Sequence, residues 1–118
     1  MKFDFTNLKN NLLQKGYRVT VCASKEEAAN YLSGQIHGKT VGFGGSMTLH
    51  EMNLFDALSS HNTVYWHDKK PENMTIAETR IAATRAEIYV SSVNGISQQG
   101  EMINIDGTGN RVAAISYG

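Results

Sequence analysis

Thr40-Val41-Gly42-Phe43-Gly44-Gly45-Ser46-Met47-Thr48 decides how this chain folds. A β-branched and aromatic run enters two glycines, then Ser and Thr, then an apolar-patterned segment from Leu49 to Leu58. That order predicts a strand, a tight turn and a helix. The glycines let a backbone approach a ligand closely, Ser46 is placed to cap the helix, and the unpaired N–H groups of a first helical turn attract anions. The same glycines would equally serve a bare strand–helix turn, and the stretch alone does not separate the two uses. It is no P-loop, lacking the Gly-Lys-Ser/Thr ending, and it fails the G-x-G-x-x-G dinucleotide spacing. Phosphate or carboxylate capture is the ligand reading that remains.

The flanking segments alternate between helical and strand patterning. Phe5, Leu8, Leu12 and Leu13 lie at helical spacing in residues 3–15, and Gly16 is the residue expected to end that helix. Tyr17 to Cys22 alternates and is rich in β-formers, which predicts a first strand. Ser24 and Glu27 form a capping-box pattern opening a helix through Ala28, Ala29, Tyr31 and Leu32 to near Gly34. Lys39 to Phe43 is the second strand. Within the following helix Asn53 and Asp56 suggest a second cap, so a break near Asn53 is expected. Thr63 to Trp66 reads as a third strand. Pro71 suits the first position of a helix over residues 72–84, and Glu87 to Ser91 is a fourth strand. Strands alternating with helices predict an α/β fold with a mainly parallel, Rossmann-like sheet and right-handed crossovers. A short hairpin is expected near residues 93–105, turning at Gln99-Gly100, with a final helix or strand over 112–117.

Composition narrows the function classes. The chain has 118 residues, 41% hydrophobic and 19% charged, which fits one globular domain over residues 1–118. Eleven basic residues balance eleven acidic ones and no run concentrates either sign, so neither nucleic acid nor a membrane surface is expected as a partner. Cys22 is the only cysteine, which excludes an internal disulfide and a cysteine-held zinc or iron–sulfur cluster. The amino-terminal stretch has no apolar signal core, and a cytoplasmic location is the simplest expectation. Asn73-Met74-Thr75 matches a glycosylation sequon by chance.

Two sets of polar residues stand out. Thr48 and Glu51 lie three apart on one helix face beside the glycine turn, and Glu51 is a candidate base or hydroxyl-binding carboxylate, or else a solvated surface residue. A second glycine turn, Asn104-Ile105-Asp106-Gly107-Thr108-Gly109-Asn110-Arg111, gathers Asn104, Asp106, Asn110 and Arg111, with Asn94 upstream. Arg111 suits bidentate anion binding or an ion pair with Asp106 or Glu101, and Asn and Asp are also plain turn formers. Both glycine turns follow predicted strands, so both would open on the crevice beyond the carboxyl ends of a parallel sheet. The histidines show no ligand spacing: His50-Glu51 begins like a zinc-protease helix, but position 54 is Leu. His37, His61 and His67 read as isolated, His67-Asp68 as a surface pair. No metal site and no cofactor is expected.

The stretches VGFGGSMTLHEMNLFDAL and SSVNGISQQGEMINIDGTGNRVAAISYG, with KEEAANYL before them, resemble the lactate-utilisation (LUD) domain family over nearly the whole chain. The resemblance implies a fold of the NagB/RpiA/CoA-transferase group and a link, in larger members, to an iron–sulfur system that oxidises L-lactate. Sugar-phosphate isomerases of that fold group carry similar turns. By that analogy Gly44, Gly45, Ser46, Thr48, Asp106 and Gly107 line a phosphate or carboxylate site. Family domains usually continue past the equivalent of Tyr117-Gly118, so the chain reads as carboxy-terminally incomplete, with uncovered surface that favours self-association or a partner subunit. The expected function is binding of a small anionic metabolite, with Glu51 and Asp106 binding hydroxyls or moving protons. The alternatives are an assembly subunit, or an isomerase- or transferase-type enzyme.

Overall fold

Residues Thr40–Phe43 form the centre of the fold, as β1 of a parallel sheet. β1 pairs in parallel with β2 (Thr63–Trp66) on one side and with β3 (Ile88–Val90) on the other. The structure is a computed structural model that describes residues 5–92, together with the strands at 95–96 and 102–103. The sheet order is β2-β1-β3, with Gly42 opposite both Tyr65 and Tyr89.

Among the described residues there are five α-helices, α1 (Phe5–Gln14), α2 (Lys25–Gln35), α3 (Met47–Glu51), α4 (Leu54–Ser59) and α5 (Ile76–Thr84), and a 3-10 turn at His67–Lys69; α1 contributes no side chain to the core cluster. Side chains of a strand point alternately to its two faces, and β1 uses both. Val41 and Phe43 are fully buried in one core with Leu49 of α3, Leu54 and Leu58 of α4, Ala29 of α2, and Trp66. Gly42 faces α5, where the backbone of Ala83 occupies the place a side chain would take. The β1–α3–α4–β2 and β2–α5–β3 connections run in opposite directions across the sheet. Right-handed crossovers therefore lay α3/α4 and α5 on opposite faces.

Several local expectations hold. Ser24 Oγ accepts the Glu27 N–H at 3.1 Å, while the Glu27 carboxylate takes the N–H of Ala23 instead of closing the box on Ser24. Gly16 ends α1 with φ +92°. The helix after the glycine turn breaks at Asn53, which takes a left-handed conformation (φ 54°, ψ 36°). Its side chain makes no capping bond, however, so the expected second cap is replaced by a backbone turn. The antiparallel hairpin is present, with Gly95–Ile96 (β4) pairing Met102–Ile103 (β5). The segment expected at 112–117 lies outside the described residues.

Two expectations fail. Tyr17 to Cys22 forms no strand. Alternation provides a face but not a ladder partner, and Tyr17–Cys22 pairs with the outer edge of neither β2 nor β3. The segment instead lines a groove with α1, where Leu8 and Leu12 are buried. Nor does Pro71 open a helix: it starts a turn whose carbonyl accepts the Met74 N–H. α5 begins five residues later because Thr75 and Glu78 form a complete capping box, satisfying two otherwise orphaned N–H groups. A helix started at Pro71 would have had Lys70 as its cap, which offers no acceptor.

Candidate functional site

In an open parallel sheet, ligands bind beyond the carboxyl ends of the strands, at the point where the strand order reverses. Strand order β2-β1-β3 puts that switch point between β1 and β3. The residues directly after the strands are Gly44-Gly45-Ser46, His67-Asp68 and Ser91-Ser92. The Gly44 N–H bonds the Val90 carbonyl at 3.0 Å, extending the pairing one step beyond the ladder. Ser46 Oγ and Ser92 Oγ are hydrogen-bonded at 2.9 Å and part-buried, so two hydroxyls close the crevice between β1 and β3. Ser46 Oγ also caps α3 by accepting the Leu49 N–H at 3.4 Å, as its place in the sequence predicts. The N–H groups of Met47 and Thr48 precede the first intrahelical donor and have no partner among the described residues.

Gly45 separates this crevice from the end of β2. A Cβ on Gly45 would stand 3.4 Å from His67 Cε1 and 3.5 Å from His67 Nε2, so the missing side chain leaves the imidazole edge open toward the turn. His67 is not isolated. Its Nε2 lies 3.3 Å from Asp68 Oδ1, and His50 Nε2 lies 3.0 Å from Asp68 Oδ2. A carboxylate only accepts, so His50 donates its Nε2 proton to Asp68, and His67 Nε2 lies within ion-pair distance of the same carboxylate. His67 Nδ1 is buried with no partner among the described residues. The His50 ring lies 4.2 Å from the fully buried Trp66 ring, which braces it against the core. The other two histidines also pair, 37 with 61, stacked at 4.4 Å, with Nε2 atoms on the Gly34 and Ser33 carbonyls that end α2. The four histidines thus fall into two pairs, one sharing Asp68 and one stacked. Among the described residues no group of three His, Cys, Asp or Glu could hold a metal ion.

Of the residues singled out in the sequence, Gly44, Gly45 and Ser46 lie at the switch point, and Thr48 is exposed in the first turn of α3. Glu51 is exposed at the end of α3, with an Oε2 3.9 Å from Lys25 Nζ. Asn94, Asn104, Asp106, Gly107, Asn110 and Arg111 lie outside the described residues. His50, His67, Asp68 and Ser92 were not expected here. Three of them follow a strand directly or at one remove, and that position was the readable signal. A second opening of about 440 Å³ lies at the amino ends of the strands, lined by Lys39, Thr40, Asn62, Thr63 and Glu87 among others. Its polar groups are largely spent on one another: Glu87 takes Thr40 and Lys39, and Asn62 takes the Lys39 N–H.

A family model described as LUD domain matches residues 5–118. No curated protein and no solved structure matches the chain.

Proposed function

The chain belongs to the LUD domain family, and from that premise we propose that it binds a small anionic metabolite, a hydroxy acid or a phosphorylated compound, at the carboxyl ends of β1 and β3. A role in lactate oxidation would then be exercised through a partner, since one cysteine cannot hold an iron–sulfur cluster. The Ser46–Ser92 hydrogen bond carries the reading, because it joins the two strand ends that flank the switch point. Gly44 and Gly45 bring bare backbone to that place, and the N–H groups of Met47 and Thr48 offer donors. Asn94, Asn104, Gly107, Asn110 and Arg111 are proposed to complete the anion site, with Thr48 at its rim. Asp106 is proposed to bind a hydroxyl or move a proton, and Glu51 could do so only by leaving Lys25.

Calorimetry against lactate, pyruvate, sugar phosphates and acyl-CoA tests this. One of these anions should bind, and Gly45→Val, which fills the space beside His67, and Arg111→Ala should each weaken it by about tenfold or more. If no anion binds, or both variants bind as the parent does, the proposal fails.

One observation favours a second reading, an isomerase- or transferase-type enzyme. Asp68 Oδ1 lies 3.3 Å from His67 Nε2 beside Gly45, which puts a carboxylate next to an imidazole, the pairing that general acid–base sites use. Exchange of a ligand C–H proton with deuterated solvent, lost in His67→Gln with binding retained, would distinguish an enzyme from a binding module.

A further inference from the structure

Between Asp4 and the Glu26-Glu27 pair, one stretch of this charge-balanced chain carries cations only. Residues 5–25 hold four cations, Lys9, Lys15, Arg18 and Lys25, and no carboxylate. Lys25 reaches Glu51, whereas Lys9, Lys15 and Arg18 have no ionic partner among the described residues. The same segment is unusually apolar on its outside. Phe5, Lys9 and Leu13 recur at intervals of four along one side of α1, which places them in a single stripe. Phe5 is 62% and Leu13 47% exposed, and beyond the helix Tyr17 and Val21 are 49% and 55% exposed. Phe5, Lys9 and Val21 share a groove of about 300 Å³ with the buried Leu8 and Leu12. A run of exposed aromatic and aliphatic side chains with cations between them is a recognition surface in search of an acidic, apolar counterpart.

The chain carries that counterpart itself. The turn before α5 and its first residues form an open groove of about 630 Å³, lined by Glu72, Met74, Ile76 and Glu78, two carboxylates against the one cation of Lys70. Ile76 is 48% exposed. Glu72 has no partner among the described residues, and the capping hydrogen bonds from Thr75 favour the ionised form of Glu78. Like charges disfavour packing α1 of one copy on α1 of another. We propose that the occupant of the α1 surface is a second copy of this chain: the Phe5–Lys9–Leu13 stripe of each protomer packs into the Glu72–Ile76–Glu78 groove of the other. Two such contacts related by a two-fold axis close a dimer, leaving no free stripe for further growth.

Sedimentation velocity and light scattering on the full chain test this. A reversible dimer is expected, weakened by added salt because its steering charges lie near solvent. Phe5→Asp and Ile76→Asp, both at exposed positions, should each give a monomer with an unchanged amide spectrum. Lys9→Glu alone and Glu72→Lys alone should each weaken dimerisation by about tenfold. An equimolar mixture of those two variants should regain a heterodimer more stable than either homodimer, which a generic hydrophobic effect would not produce. A monomer at all concentrations overturns the proposal, as does a dimer indifferent to both Asp substitutions, or a mixture that recovers nothing. A monomer that instead binds phosphatidylglycerol vesicles through Phe5 and Lys9 also overturns it and assigns the surface to anionic lipid.

Discussion

Glycines 42 and 45 illustrate how differently one residue type can be used three positions apart. Gly45 bears on the site, because its missing side chain leaves His67 open to the turn. Gly42 bears on the fold: a Cβ there would overlap the Ala83 carbonyl oxygen and stand 2.6 Å from its carbon. Backbone cannot retreat as a flexible side chain can, so Gly42→Ala should cost about 3 kcal/mol, read as a lower urea midpoint with the slope retained. A cost below about 0.5 kcal/mol, an ordinary surface value, would mean that α5 does not press on β1 at Gly42. The two roles look alike in the string VGFGG, since glycine in a strand and glycine in a turn are the same letter. Likewise His67-Asp68 reads as a surface pair until His50, from a different element, arrives on the same carboxylate.

At the scale of the element, capping decided where helices begin. Thr75 and Glu78 set the start of α5 against the pull of Pro71, because two satisfied N–H groups outweigh a favourable φ. Thr75→Ala should therefore destabilise by about 1 kcal/mol, seen as faster amide exchange at Glu78 and Thr79. The Thr75 backbone and side-chain hydrogen bonds lower the Glu78 pKa below the usual carboxylate value. A depressed carboxylate contributes stability that is present above its unfolded value and fades as pH falls through its folded one. Acid titration of α5 helicity should show that loss, and Glu78→Gln should abolish the pH-dependent step. An identical acid profile in the variant would refute the capping role of the charge. Tyr17–Cys22 shows the opposite limit, for no local pattern can report whether a strand edge takes the segment as its partner.

At the scale of the whole molecule, a single side chain ties three connections together below the sheet. Asn62 Nδ2 donates to the Ile36 and Leu58 carbonyls at 2.9 and 3.0 Å, and its Oδ1 accepts the Lys39 N–H at 3.0 Å. These bonds join the exit of α2, the end of α4 and the entry to β1. Removing them leaves part-buried carbonyls without donors, so Asn62→Ala should cost about 2 kcal/mol in chemical denaturation. A loss under half of that would show the three connections to be held by core packing instead. The core above them, with Phe43 and Trp66 rings 5.2 Å apart, sets the sheet against α3 and α4 and so carries the crevice at the other end.

From the sequence alone came the α/β class, three of the four expected strands, the Ser46 cap and the break at Asn53, because each rests on neighbours within a few positions. Tertiary structure decided what local patterning cannot encode. The strand order β2-β1-β3 located the switch point between β1 and β3. It brought Ser92 to Ser46 across forty-six positions, and His50 and His67 to one carboxylate. Those encounters depend on how right-handed crossovers stack the helices, and that is a property of the assembled sheet rather than of any stretch within it.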